Sequence, residues 1–136
     1  MQSRFQAQRE RSKLYEIAFS DWLQRVRGYY VLPTYDYSGL ANNKAPRLMC
    51  LDSGLVIPDL LAAGNGVFQW FEIKLKEKAD LHRKSGNLVT GLPYRHWLDY
   101  QRVKQVTGSL VWIVFIHETE NVICAGEIDN MPHSHI

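Results

Sequence analysis

Two acidic residues and a lysine lie inside apolar segments of the sequence, where a charged side chain is costly to bury unless it has a partner or a function. Asp59 interrupts the run VIPDLLAAG, and Glu72 and Lys74 alternate with apolar residues in FQWFEIKLKEK. Strand side chains alternate between the two faces of a sheet, so Glu72 and Lys74 share one face while their apolar neighbours are buried on the other. Asn65-Gly66 between the two runs is a strong hairpin signal, and residues paired across a hairpin lie roughly 5 Å apart. The sequence therefore predicts that Asp59 and Glu72 converge on one point with Lys74 beside them.

Such a group of side chains indicates metal-assisted chemistry on a phosphate. Two close carboxylates repel and raise each other's pKa unless a cation lies between them. Mg²⁺ prefers carboxylate oxygens and keeps several waters, so two acids and one backbone carbonyl would suit it, and Mn²⁺ is expected to substitute. The ion would polarise a phosphoryl oxygen and lower the pKa of a bound water, while the lysine stabilises developing charge or orients that water. The residues therefore predict hydrolysis of a phosphodiester.

The elements that must position these residues are two helices and a mixed sheet. An apolar stripe predicts a helix over residues 5–27 that stops at Gly28, and GYYVLPTY predicts a short strand in which Pro33 indicates a sheet edge. LMCLDSGLVIPDLLA predicts one or two strands separated by the turn DSG, and VFQWFEIKLK predicts the next. After a polar loop over residues 79–93, YRHWLDYQRVKQVTG predicts a helix ending at Gly108, SLVWIVFIH a strand covered on both faces, and NVICAGEID a last strand. The order α-β-β-β-α-β-β predicts an α/β domain with helices packed on the sheet.

The stripe of the first helix is wide. Four apolar residues fall at helical spacing and four more widen the stripe: Leu14, Ile17, Ala18 and Trp22, then Tyr15, Phe19, Leu23 and Val26.

The segment PDLLAAGNGVFQWFEIK resembles the PD-(D/E)XK nuclease superfamily, because Pro58-Asp59 is followed by Glu72-Ile73-Lys74. A helix carrying an acid, Glu16 in KLYEIAFSDWL, precedes the hairpin, and a helix and a buried strand follow it. The resemblance covers roughly residues 12–117 and rests on this order of elements as much as on the few motif letters. It implies a restriction-endonuclease-like αβββαβ core, a mixed central sheet flanked by helices, in a single domain over residues 1–136.

The resemblance also implies roles for these residues. It implies a Mg²⁺-dependent endonuclease that hydrolyses DNA, in which Asp59 and Glu72 bind the metal with the Ile73 carbonyl as a third ligand. Lys74 is implied as the catalytic lysine that assists the attack of water. Glu16 is implied as an outer or additional metal ligand, and its alternative interpretation is a solvated helix acid.

The second predicted helix supplies further candidates. His96 and Tyr100 are four residues apart and share a face that Lys104 extends. The superfamily often places a polar side chain from this helix at the active site, and Tyr100 and Gln101 are the residues predicted to be catalytic here. The alternative is that Tyr100 belongs to an apolar core stripe.

Basic residues crowd the start of the first helix and the segment after the third strand. The arginine-rich start of the first helix would serve either an interface or DNA. Five residues are predicted to contact nucleic acid: Lys76, Lys78, Arg83, Lys84 and Lys104. The alternative for each charge run is a solvated face.

Size and composition bound the remaining possibilities. A chain of 136 residues that is 46% hydrophobic and 22% charged predicts one globular domain. No apolar run approaches the roughly 20 residues of a membrane span, and the polar N-terminus does not resemble a signal peptide, so a cytoplasmic protein of a bacterium or phage-infected cell is expected. Cys50 and Cys124 lack the spacing of a zinc site and are predicted to be free, buried thiols.

The resemblance leaves the substrate open among branched DNA, a specific duplex site and RNA. In its small size the chain resembles stand-alone phage nucleases and Holliday-junction resolvases. A resolvase that cuts two strands symmetrically would be a homodimer. One alternative is a non-catalytic nucleic-acid-binding module, although acids without a metal would repel phosphate. Another is a subunit of a larger helicase–nuclease assembly, for which exposed aromatic residues are candidate contacts: Tyr29, Tyr30, Tyr35 and Tyr37.

Overall fold

The structure is a computed structural model that describes residues 3–34, 47–76, 80–81, 88–89 and 92–131. Two helices and nine strands lie in these ranges, followed by a short 3₁₀ helix, Ile128–Asn130. In chain order they are α1 Arg4–Arg25, β1 Tyr30–Pro33, β2 Arg47–Cys50, β3 Ser53–Val56, β4 Leu60–Gly64, β5 Val67–Lys76, β6 Asp80–Leu81, β7 Leu88–Val89, α2 Tyr94–Thr107, β8 Leu110–His117 and β9 Val122–Glu127.

Five of the strands form one mixed sheet in the order β1-β4-β5-β8-β9. The pair β5–β8 is parallel and the other neighbours are antiparallel. With α1 before this sheet and α2 inserted before β8, the predicted α-β-β-β-α-β-β order and the flanked mixed sheet are confirmed. Strands β2 and β3 form a separate hairpin, and β6 pairs with β7.

The β4–β5 hairpin is closed by the predicted two-residue turn. Asn65 and Gly66 both have positive φ, 55° and 77°, which is the backbone that the tightest hairpin turns need. Gly64 pairs with Val67 on either side of the turn, and the register then runs to Leu60 opposite Phe71. Continued by one residue, this register sets Asp59 opposite Glu72.

The sheet is covered on both faces, and the alternation of strand side chains divides its core in two. On one face, Phe71, Ile73 and Leu75 of β5 pack with Leu23 of α1. On the other face, Trp70 packs with α2 through Tyr100 and Val103. Strand β8 contributes to both clusters, so it is the doubly covered strand that its apolar sequence predicts.

Helix α1 buries less of its apolar stripe than the sequence suggests. Tyr15, Phe19 and Leu23 pack against the sheet. The rest of the stripe faces solvent, with Leu14 and Val26 each 65% exposed. A helix packed on one side of a sheet buries one face only, so the width of the stripe exceeds what the core can take.

Several local predictions are corrected. The segment LMCLDSGLVIPDLLA holds three strands rather than one or two, and the turn between β2 and β3 falls at Leu51-Asp52, one residue before the predicted DSG. The predicted 79–93 loop contains the short pair β6–β7. Cys50 and Cys124 are free as predicted, but both are exposed rather than buried, because each lies on a strand outside the covered part of the sheet.

None of the helices in the described ranges is both long and apolar enough to span a lipid bilayer.

Candidate active site

The β4–β5 hairpin brings Asp59 and Glu72 side by side. The Asp59 backbone N–H donates to Glu72 Oε1 at 3.2 Å, and the Ile73 backbone N–H donates to Asp59 Oδ2 at 2.9 Å. Each acid is thus held by the backbone beside the other. The two residues are only 8% and 6% exposed. The predicted convergence of the two acids is therefore present in the structure.

The acid pair carries unbalanced negative charge. The pKa of Asp59 is raised well above its ordinary value, first by burial, then by the charge of Glu72 and its hydrogen bond, with a smaller contribution from Glu16. The hydrogen bond from Ile73 acts in the opposite direction but is the weaker effect. A cation bound between the carboxylates would remove this cost.

Lys74 lies on the same sheet face as Glu72, as the alternation predicts. Its Nζ is 3.4 Å from Glu72 Oε2 and 3.3 Å from His96 Nδ1. The pKa of His96 is lowered by burial and by the charge of Lys74, so its ring is neutral at pH 7. Because an ammonium group only donates, Nδ1 accepts this hydrogen bond and the ring proton is on Nε2. Lys74 is thereby held between an acid and an imidazole.

Tyr100 reaches the site from α2. It is 5% exposed, packs in the core on the α2 face, and donates its hydroxyl to Glu72 Oε2. Its pKa is raised by burial and then by the charge of Glu72, so the phenol stays protonated and serves as a donor. Both interpretations of Tyr100, core residue and site residue, therefore describe the same side chain.

Glu16 lies at the α1 side of the site. It is buried, lines the same cleft as Asp59 and Glu72, and is close enough for its charge to raise the pKa of Asp59. The alternative of a solvated helix acid is wrong because the side chain is buried, and the role of an outer metal ligand stays a prediction.

Two residues of α2 point elsewhere. Gln101 donates to Asp129 Oδ1 at 3.2 Å, because it follows Tyr100 by about 100° around the helix and faces the 3₁₀ helix. Lys104 pairs with Glu127 Oε1 at 2.7 Å and with Asp129 Oδ2 at 2.5 Å. The buried Glu127 carboxylate holds this long side chain away from the face of His96 and Tyr100. The predicted catalytic role of Gln101 and nucleic-acid contact of Lys104 have no support from these positions.

The predicted basic contacts after β5 are only partly described. Lys76 ends β5, where its carbonyl accepts the Glu118 N–H at 3.0 Å, and it is not among the described residues that line the cleft. Lys78, Arg83 and Lys84 lie outside the described residues, as do Tyr35 and Tyr37.

The acids lie in a cleft of about 840 Å³ between α1, the β2–β3 hairpin, β5 and α2. Seven of its described charged or polar lining residues were not among the predicted site residues: Arg9, Ser12, Lys13, Arg47, Arg95, His96 and Asp99. For His96 a signal was present, since it stands one helical turn before Tyr100. For Arg47 no local signal existed, because β2 reaches the cleft only through the folding of its hairpin.

The donors of the cleft fit a hard divalent cation. Asp59 and Glu72 provide buried carboxylate oxygens, which Mg²⁺ and Mn²⁺ prefer. The N–H and C=O groups of one strand residue point to the same side, so the Ile73 carbonyl faces the Asp59 side of β5 together with its N–H. Within the described ranges no group of three or more His, Cys, Asp or Glu side chains could enclose a metal. A cation held here would therefore have two acids as side-chain ligands and would take its remaining ligands from backbone, water and substrate oxygens.

Replacement of Tyr100 by phenylalanine is expected to weaken Mn²⁺ binding and cleavage by roughly 10–100-fold, the range for losing a group that orients a ligand. The ring keeps its core packing, while Glu72 Oε2 loses its hydroxyl donor. Calorimetric Mn²⁺ titration would measure the change. Tyr94→Phe, an exposed tyrosine at the start of the same helix, is the control. Unchanged Mn²⁺ affinity and cleavage in Tyr100→Phe would limit the hydroxyl to a structural role.

The sheet order, the parallel β5–β8 pair and one helix on each face define a restriction-endonuclease-like fold. The chain is similar to a solved structure of Hjc, a Holliday junction resolvase from the archaeal hyperthermophile Archaeoglobus fulgidus. The TM-score is 0.58 at 10% sequence identity, over 90% of this chain and 81% of that chain. No protein-family model matches this chain, and no curated protein matches it by sequence. At this identity the likeness shows a shared fold.

Proposed function

We propose that this chain is a metal-dependent nuclease of the PD-(D/E)XK superfamily that hydrolyses DNA phosphodiester bonds. The observation that carries the proposal is the pair of buried carboxylates, Asp59 and Glu72, held across the β4–β5 hairpin with the Lys74 ammonium 3.4 Å from Glu72. In the proposed role these acids and the Ile73 carbonyl hold Mg²⁺, or Mn²⁺ in its place. The shared fold with a Holliday junction resolvase supports this assignment.

The residues of the cleft divide the work of the proposed reaction. When bound, the cation would polarise a phosphoryl oxygen and lower the pKa of a bound water. The Lys74 ammonium stabilises the negative charge that develops on the phosphate and orients the attacking water. His96 accepts a hydrogen bond from Lys74, and Tyr100 donates one to Glu72, so these two are positioning residues.

We propose a four-way DNA junction as the first substrate to test. The structurally similar archaeal protein is a Holliday junction resolvase. An enzyme that cuts two strands of a junction symmetrically needs two active sites, so the proposal includes a homodimer. Linear duplex DNA and RNA are the alternative substrates.

The test is cleavage of end-labelled four-way junction, flap, linear duplex and single-stranded DNA, with one RNA, in Mg²⁺, in Mn²⁺ and in chelator. We expect cutting that requires the metal and is lost in Lys74→Ala. The size of the labelled products identifies the cut position, and the preferred substrate identifies the kind of nuclease. Cutting that persists in chelator, or none of any substrate, would contradict the proposal.

A second candidate function is a subunit of a larger nucleic-acid-processing assembly. Exposed apolar residues favour it: Leu14, Ile17 and Trp22 on α1, Val26 directly after the helix, and Tyr30 on the edge strand β1, which is 84% exposed. Exposed large apolar side chains of this kind are typical of a partner surface when they form one patch. DNA binding in chelator without cutting of any substrate would favour this candidate.

A further inference from the structure

Buried acidic residues lie at the base of the cleft, and basic residues lie at its opening. Three of its four described acids, Glu16, Asp59 and Glu72, are less than a tenth exposed, and the fourth, Asp99 of α2, is half-buried. Lys13 of α1, half-buried, and the exposed Arg47 of β2 and Arg95 of α2 line the same cleft. Three of the acids are therefore covered, while the two arginines are exposed and the three cations come from three separate elements.

Within the described residues, these three cations are not paired with acidic side chains, unlike several cations outside the cleft. Arg25 pairs with Asp21 at 2.7 Å, Arg11 lies 3.5 Å from Glu118, and Lys104 contacts two acids. No salt bridge or side-chain hydrogen bond joins Lys13, Arg47 or Arg95 to another residue in the part of the chain that the structure describes. Cations gathered around one opening without acidic partners attract an anion from solution.

The start of α2 adds to this attraction. Arg95 and His96 lie in its first turn, which contains no acidic residue, and the N-cap Pro93 makes no side-chain capping bond. The start of α2, and with it the positive end of the helix dipole, therefore lies beside the same cleft.

The β2–β3 hairpin directs Arg47 to the mouth. Leu55 of β3 and Ile57 pack against the core on the α2 face, which anchors the hairpin although it is not paired with the central sheet. The aliphatic part of Arg47 lies against Gly54, where an added Cβ would be 3.0 Å from Arg47 Cδ. Because Gly54 has no side chain, the aliphatic part of Arg47 can lie across it.

We propose that Lys13, Arg47 and Arg95 form a phosphate clamp, which binds backbone phosphates of a nucleic-acid strand on either side of the phosphodiester placed over Asp59 and Glu72. The clamp rests on the proposed function for the identity of its ligand. Arginine pairs with phosphate through two parallel hydrogen bonds, and the acids alone would repel the strand. The three cations supply the binding, and the acid pair with Lys74 supplies the chemistry.

The test is binding of a fluorescein-labelled four-way junction in Ca²⁺ without Mg²⁺, measured by anisotropy from 50 to 300 mM salt. Each of Lys13→Gln, Arg47→Gln and Arg95→Gln is expected to weaken binding roughly 3–10-fold, and the triple variant on the order of 100-fold. Removal of each phosphate-binding cation should lower the slope of log affinity against log salt by about one. Arg102→Gln, an exposed arginine on the same helix as Arg95, is the matched control.

Two outcomes would overturn the clamp: an unchanged affinity and salt slope in the triple variant, or an equal loss in Arg102→Gln. Cleavage in Mg²⁺ measured against DNA concentration separates the clamp from the reaction, because clamp variants should lose more in kcat/KM than in kcat, whereas Lys74→Ala should lose mainly kcat. A wild-type protein that cuts nothing but binds through these residues would refute the nuclease and keep the clamp. Cutting with clamp-independent binding would do the reverse.

Discussion

Lys74→Ala is expected to lower the rate of Mg²⁺-dependent cleavage by roughly 10²–10⁴-fold at saturating DNA and metal. The ammonium is the positive group placed 3.4 Å from Glu72 on the reacting side of the acid pair, so its loss removes stabilisation from the transition state. The two acids and the Ile73 carbonyl remain, so Mn²⁺ should still bind. Single-turnover cleavage and calorimetric Mn²⁺ titration measure the two effects separately.

Lys76→Ala is the matched control for this prediction. Lys76 lies two residues further along β5 on the same face, but it does not line the described cleft. It should retain cleavage within a few-fold of wild type. If Lys74→Ala also cuts within threefold of wild type, Lys74 is not the catalytic lysine. If both variants lose cleavage equally, the loss reflects the total positive charge on this face of the sheet and not a specific role of the Lys74 ammonium.

Asp59→Asn is expected to abolish metal-dependent cleavage and to stabilise the metal-free protein. The variant lacks one of the two proposed carboxylate ligands, so Mn²⁺ affinity and cleavage should both fall by at least 100-fold. Without metal, the same change removes the repulsion between two buried acids. The free energy of unfolding should then rise by on the order of 1–2 kcal/mol, as is common when a functional residue is replaced.

The stabilisation should depend on pH. The pKa of Asp59 is raised in the folded protein, so the folded state binds more protons than the unfolded chain between the ordinary and the raised value. Wild-type stability therefore falls as the pH rises through that interval. Asparagine does not titrate, so the advantage of Asp59→Asn should be small near pH 4, grow with pH and be complete above the raised pKa.

Chemical denaturation in chelator from pH 4 to 8 would measure this difference. Asp21→Asn, an exposed acid on α1 paired with Arg25, is the control and should show no such growth. Addition of Mn²⁺ should stabilise the wild type but not Asp59→Asn, because only a protein that binds the ion gains from it. If Asp59→Asn is less stable than wild type at pH 8 in chelator, the claim that repulsion between Asp59 and Glu72 destabilises the metal-free protein is wrong.

The parts of the site that the sequence predicts are those set by local geometry. The Asn65-Gly66 turn fixes the register of the hairpin, and a period of two then places Glu72 and Lys74 on the face that Asp59 reaches. Tyr100 follows from the spacing of an amphipathic helix. In each case the positions depend on residues within one turn or one hairpin.

The parts that the sequence does not predict depend on packing between distant segments. Helical spacing places Lys104 near the face of Tyr100, but it cannot show that Glu127 and Asp129 lie within reach of the ammonium. The apolar stripe of α1 does not reveal how much of it the sheet covers. Arg47 comes to the cleft only because its hairpin packs against the α2 face of the core.

The pairing of the strands also sets the order in which the cleft can be assembled as the chain folds. Asp59 and Glu72 are separated by 13 residues and joined by a two-residue turn, so closing that loop costs little chain entropy. The parallel partner of Glu72, Ile113 in β8, comes more than forty residues later, after all of α2. Pairings of this separation limit folding rates. The two carboxylates are therefore brought together by a pairing between residues close in sequence. The elements around them are brought together by pairings between distant residues, which form more slowly.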